Sequence, residues 1–154
     1  MPRVVVVEKV YETPSARERA VVLWVSRHPP LAAQIAELEA KLGPIEVRQA
    51  SGTVPSAEHV VDLARWLGAR YVVPVLPLSF IAKLAEAARA QGFEILLAKM
   101  RNVAVVRGEE EVAGLVAERP DRRTAVAYAD GTVRVFEFEG FERLIRVELV
   151  TEPL

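Results

Sequence analysis

The 154-residue sequence contains no cysteine, two histidines and three aspartates. Each shortage removes a class of chemistry. Without a thiol there is no disulfide, no cysteine-ligated zinc and no thiol nucleophile. The histidines, His28 and His59, are too few to build a zinc site by themselves. A two-metal nuclease or phosphatase needs several carboxylates at strand ends. The aspartates fall elsewhere: Asp62 within a helical pattern, Asp121 in a charged loop and Asp130 in a turn. Neither a metal nor a cofactor is expected. Long apolar runs are also missing. The four valines before Glu8 and Lys9 are too few for a signal-peptide core or a membrane span, which predicts a cytoplasmic protein. Charge of one sign is absent as well: the formal net charge is −1, with no bulk attraction to DNA, RNA or anionic lipid.

What is present is the composition of a globular chain, 51% apolar and 27% charged, long enough for one α/β domain over residues 1–154 with its own core. Only Lys9, Lys41, Lys83 and Lys99 among the 20 basic residues are lysine. An arginine- and glutamate-rich chain without cysteine suits a thermophile, and a GC-rich genome produces the same bias.

Along the chain, apolar runs alternate with amphipathic stretches. Arg3–Tyr11, rich in β-branched residues, reads as a strand. Ala20–Val25 is a short apolar run of the kind buried on both faces of a parallel sheet. Leu31, Ile35, Leu38 and Leu42 fall at helical spacing, and Gly43-Pro44 ends that helix. Ile45–Ala50 reads as a strand, and Ser56 caps a helix whose apolar face is Val60, Leu63, Ala64 and Leu67. The pattern repeats: a strand beginning at Arg70–Val73, a helix opened by Pro77 or Ser79 and closed by Gly92, and a strand over Phe93–Ala98. Glu109–Ala117 reads as a short helix. Thr124–Ala129, Asp130-Gly131 and Thr132–Phe138 read as a hairpin, since Asp-Gly between alternating runs suits a tight turn. Arg143–Val150 reads as one more strand.

Strand, helix, strand in repetition predicts a Rossmann-like three-layer sandwich with a mainly parallel sheet. Counting from Ala20–Val25, the expected strand order is 2-1-3-4, with a parallel βαβ core over 20–100. A C-terminal β-hairpin or meander over 119–154 is expected to extend the sheet, beside the N-terminal strand.

In open parallel sheets ligands sit at the carboxyl ends of the strands where the order reverses. That rule selects the end of the Ala20–Val25 strand, where the apolar run stops at Ser26-Arg27-His28 and two prolines follow. Ser51-Gly52-Thr53, Pro74–Ser79 and Met100-Arg101-Asn102 are expected on the same edge. The candidate ligand-binding set is therefore Ser26, Arg27, His28, Ser51, Thr53, Ser79, Arg101 and Asn102, with His28 as the candidate catalytic residue. Two guanidinium groups and several hydroxyls without a carboxylate suit an anion. Each residue also has a plainer role open to it. Ser79 can cap a helix, Ser51 and Thr53 can satisfy loop backbone, Arg27 can lie over a neighbouring helix, and His28 can simply end the strand. His59 reads as a surface or half-buried residue, and Trp24 and Trp66 as core.

There is no G-x-S-x-G, no G-x-G-x-x-G after the first strand of the repeat and no P-loop. Metal-independent chemistry with His28 as acid or base, or plain binding, survives. Ser26-Arg27-His28-Pro29, Pro74-Val-Leu-Pro77, Arg101-Asn102-Val103 and the span from Asp130-Gly131 to Gly140-Phe141 together resemble a family of small uncharacterised Rossmann-like proteins from bacterial and mobile-element genomes. In that family a strand ends in an Arg-His-Pro motif and the chain closes with an Asp-Gly hairpin. The resemblance implies the layout and supplies no activity. The family's glycine-rich turn after the third strand is replaced here by Pro74, Val75 and Leu76, which replaces a phosphate cradle with an apolar wall.

The leading expectation is a regulatory or sensing module for a small anionic, nucleotide-like ligand, with cleavage of that ligand as an extension. The rival is an interaction or structural module assembling through its β edges, as a homodimer or larger homo-oligomer, with Phe136, Phe138 and Phe141 as its aromatic features. Nucleic-acid binding through Arg119, Arg122 and Arg123 ranks third, because a short charge run is usually a solvated loop.

Overall fold

β-branched and apolar runs become strands, and the amphipathic stretches between them become helices. The computed structural model describes residues 5–154. In chain order the elements are β1 (Val6–Glu12), β2 (Ala20–Val25), α1 (Ala32–Leu42), β3 (Ile45–Ser51), α2 (Ala57–Leu67), β4 (Tyr71–Pro74), α3 (Leu78–Gln91), β5 (Glu94–Val106), α4 (Glu109–Glu118), β6 (Arg123–Ala127) and β7 (Val133–Leu144). The start of the expected Arg3–Tyr11 strand, Arg3 and Val4, lies outside the described residues. None of the described helices is long and apolar enough to cross a membrane.

Helix ends follow local chemistry. The Ser56 hydroxyl accepts from the His59 N–H at 3.2 Å, and Gly68 closes α2 in the left-handed conformation at φ 65°. Of the two residues expected to open the next helix, Pro77 does so and Ser79 does not. Pro77 is the N-cap of α3 and offers no side-chain cap, so Ser79 sits inside the first turn.

The strands form one hydrogen-bonded series in the order β1-β3-β2-β4-β5-β7-β6. β2 pairs in parallel with β3 and with β4. β4 pairs in parallel with β5 through Tyr71↔Glu94 and Val72↔Ile95. β1–β3 and β6–β7 are antiparallel. Along β5 the ion-pair partners on β7 descend, Glu94 with Arg143, Lys99 with Glu142 and Arg101 with Glu139 and Glu137, the order of antiparallel neighbours. The sheet is therefore mixed and heavily antiparallel, which overturns the expectation of a mainly parallel, Rossmann-like sandwich. The physical reason lies in β5. Its parallel pairing with β4 is brief, and the strand then continues through Met100, Arg101 and Asn102, expected to be a loop, to Val106, alongside β7. The C-terminal hairpin pairs with β5, while β1 pairs with β3, so these two are not neighbours as expected. The expected strand over Arg143–Val150 is also corrected: β7 ends at Leu144, and 145–150 are in neither helix nor strand.

The chain divides into two compact units. One takes in the chain up to Pro29, Leu42–Leu97 and Arg143–Leu154; the other takes in Pro30–Lys41 and Ala98–Glu142. In the first, Leu23 and Val25 of β2 and Val72 of β4 pack with Val60 and Ala64 of α2 and Leu84 and Ala88 of α3. Val22 and Trp24, pointing the other way from β2, are buried too, so the strand is covered on both faces. Each of the fully buried Val and Leu side chains contributes about 1.5–3 kcal/mol on burial.

The second unit is held by a charge cluster. Glu137 of β7 is 8% exposed at its side chain, and it accepts from Arg123 Nε at 3.0 Å and Arg101 Nη2 at 3.2 Å, with Arg119 Nη1 at 3.5 Å. Arg123 also donates to the Leu115 carbonyl and to Glu118, tying α4 to the hairpin. The turn is Asp130-Gly131, with Gly131 at φ 84° and Asp130 accepting from the Thr132 N–H at 3.0 Å. Glu37 of α1 accepts from the Phe141 N–H at 2.6 Å, beside Gly140, whose φ of 153° excludes most side chains.

The Arg123 hydrogen bond, opposed by burial and reinforced by the charges of Arg119, Arg123 and Arg101, holds the Glu137 carboxyl below the usual glutamate range. A lowered folded value means that the unfolded chain takes up the proton first as pH falls. The stabilisation is therefore complete above the ordinary value of about 4.3 and is lost progressively below it. Glu137→Gln is expected to lower Tm at neutral pH, and the gap to the unsubstituted protein is expected to close as pH falls from about 5 to 3. Thermal melts across that range check it; a gap independent of pH would contradict the assignment.

Candidate functional site

The carboxyl ends of three neighbouring strands, β3, β2 and β4, frame a cavity of about 430 Å³. Its walls are Val25-Ser26-Arg27-His28 after β2, Gly52-Thr53-Val54 after β3, and Val75-Leu76-Pro77 after β4, with Phe80 from the first turn of α3. This is the edge at which α/β sheets usually bind ligands, between strands whose connections leave in opposite directions.

The loop after β2 is fixed by side chains from below it. The Ser26 carbonyl accepts from Gln49 Nε2 at 2.8 Å, and the His28 carbonyl accepts from Trp24 Nε1 at 2.9 Å. The Ser26 hydroxyl accepts from the His28 N–H at 3.1 Å, a local turn that serine favours. Pro29 and Pro30 then restrict φ. Gln49 and Trp24 are both buried. Three backbone groups of Ser26–His28 are thereby engaged, while the Arg27 and His28 side chains remain exposed. Among the described residues no carboxylate pairs with Arg27, and no carboxylate lines the cavity. Arg27 thus presents an unneutralised planar fork beside an imidazole, the chemistry of an anion contact.

Of the eight candidate ligand-binding residues, the cavity gathers Ser26, Arg27, His28 and Thr53. Ser51 is the last residue of β3, half-buried and outside the lining. Ser79 opens on a separate recess of about 160 Å³ that also takes in Ser56, Lys83 and Phe80. Arg101 and Asn102 lie inside β5 in the other unit, and Arg101 is engaged by Glu137 and by Glu139 at 2.8 Å. His59 is half-buried, and its Nε2 has no partner among the described residues. Trp24 is core, whereas Trp66, expected to be core, is 78% exposed.

Sequence reasoning missed Gln49, the residue that pins the loop, and Phe80 and Val54, which join Val75 and Leu76 in the apolar part of the lining. The signal for Gln49 was a lone amide on the face of β3 that also carries Ile45 and Val47, two residues before the end of the strand. No group of three or more metal-ligating side chains is assembled among the described residues.

No family model, no curated protein and no solved structure matches this chain. What the cavity can bind follows from its walls.

Gln49→Leu leaves the Ser26 carbonyl without its buried donor, a loss of about 1–3 kcal/mol. The expected outcome is faster amide exchange at Arg27 and His28 with strand protection retained, measured by hydrogen exchange. Unchanged exchange there would show that the loop does not depend on Gln49.

Proposed function

We propose that this protein is a small-molecule binding module that holds an anionic ligand at the carboxyl ends of β2, β3 and β4, in a sensing or regulatory role. The observation that carries the reading is the open cavity in which the exposed Arg27 and His28 stand on a loop pinned by Trp24 and Gln49, with no carboxylate in the wall. Arg27 takes the anion and His28 orients it by hydrogen bonding. Binding without turnover is favoured, because His28 has no carboxylate in the wall to orient it as an acid–base catalyst. A thermal-shift panel of small carboxylates, phosphomonoesters and nucleotides tests this. A ligand at 100 times its Kd stabilises by about 2.7 kcal/mol. Arg27→Met is expected to weaken binding about 10- to 100-fold, the loss of a charge-assisted hydrogen bond. Absence of a shift with every anion would remove the basis of the reading.

A second reading, assembly through a β edge, is favoured by Ile145–Leu154. Ile145, Val147 and Leu149 alternate with Arg146 and Glu148 as in a strand, yet Ile145, Leu149 and Val150 are 70%, 89% and 83% exposed. Apolar residues in strand alternation without a partner strand invite pairing with a second copy. Light scattering on a sizing column is expected to give a dimer that Val147→Asp with Leu149→Asp converts to monomer. A monomer before substitution would exclude it.

A further inference from the structure

Resting on the reading of the cavity as an anion site, we propose that its ligand is an amphipathic monoanion: one carboxylate or one phosphomonoester carried on a flat or chain-like apolar body, and not a polyphosphate or an oligonucleotide. Three independent features of the walls lead there.

The first is the backbone. Polyphosphate sites are built from arrays of free N–H groups at glycine-rich turns and helix starts. Here several of the donors at the ends of β2 and β4 are already engaged or missing. The His28 N–H goes to the Ser26 hydroxyl, the Val75 N–H to the Val25 carbonyl at 2.9 Å, and the Phe80 N–H to the Pro77 carbonyl at 3.0 Å. Pro29, Pro74 and Pro77 have none. That thins the array of backbone donors a polyphosphate needs, and the guanidinium fork of Arg27 matches one carboxylate or one phosphoryl group in two parallel hydrogen bonds.

The second is charge. Arg27 is the one permanently cationic residue of the lining. Lys83 opens on the separate recess that shares Phe80. A triphosphate would bring several negative charges to a wall that compensates one.

The third is the apolar share of the lining. Val54, Val75, Leu76, Pro77 and Phe80 line the same cavity as Arg27 and His28. Val75 is 58% exposed, a large apolar side chain held open where a ligand would cover it. The volume of about 430 Å³ falls within the range of small-molecule sites. An apolar body against Phe80 with its anion on Arg27 buries both halves, whereas a sugar-phosphate chain would place hydroxyls against hydrocarbon.

Titration calorimetry with paired probes tests the proposal: 2-naphthoate against acetate, 2-naphthyl phosphate against inorganic phosphate, and ATP against AMP. The expected result is that at least one naphthyl anion binds tenfold or more tighter than its bare anion, and that ATP binds no tighter than AMP. The naphthoate and naphthyl phosphate arms distinguish a carboxylate from a phosphomonoester. Phe80→Ala is expected to erase the gain from the naphthyl body, and Arg27→Met to weaken both members of a pair. Because Phe80 also packs against the core, Val75→Ser at its exposed position provides the same test without that burden. Tighter binding of ATP than of either naphthyl anion overturns the proposal and leaves the anion site standing, as does a naphthyl gain that survives Val75→Ser. No binding of any of the six probes overturns both.

Discussion

β2 is hydrogen-bonded in parallel along both edges, to β3 and to β4, and its last four residues are buried. Much of the first unit depends on that placement. A strand covered on both faces cannot carry polar side chains without partners for them, so Val22–Val25 are apolar, and Ser26 is the first residue at which the chain can change character. The parallel register brings the ends of the three strands to the same edge, where Val25 pairs with both Ala50 and Pro74. Loops that leave from one line of neighbouring ends have to diverge, and the space left between them is the cavity.

Two arginines show how the same side chain is put to different use. Arg27 and Arg101 were both expected just beyond the end of a strand. Arg27 leaves β2 on a loop whose backbone is tied down by Trp24 and Gln49, and no carboxylate engages its guanidinium among the described residues. Arg101 lies within β5 and meets Glu137 and Glu139 from β7. A guanidinium already shared between two carboxylates holds strands together and has little left for a ligand. Which fate an arginine meets depends on the strand that arrives beside it, from a part of the chain about 36 residues away.

Local structure was legible where local chemistry decides it. Ser56 caps α2 because its hydroxyl reaches an N–H three residues on, and Gly68 and Gly92 close helices because they accept a left-handed backbone. The Asp130-Gly131 turn was legible for the same reason. Misreadings arose where pairing decides. Alternation of apolar residues reports that a segment is extended and half covered, and says nothing of which strand lies alongside or in which direction. Met100-Arg101-Asn102 was expected to be a loop because it follows the Phe93–Ala98 run, yet antiparallel pairing with β7 keeps it in a strand. Ile145–Val150 has a strand's pattern, yet no strand lies beside it among the described residues. At the site, Ser26, Arg27, His28 and Thr53 were legible because they sit at strand ends that the switch-point rule selects. Gln49 and Phe80 were not, because their roles come from what stands across from them.

The amino-acid sequence by itself determined most of the elements, the caps of α2, the buried character of β2 and the abrupt polar exit at Ser26. It also excluded thiol chemistry and left few carboxylates for metals. These are properties of a residue and its near neighbours, and short-range sterics and hydrogen bonding suffice for them. Tertiary structure alone decided the mixed sheet, the engagement of Arg101 by Glu137, and the meeting of Arg27 and His28 with an apolar wall drawn from β3, β4 and α3. Those are long-range pairings, selected by the free energy of burying whole faces and satisfying buried charge, and no local pattern encodes the partner.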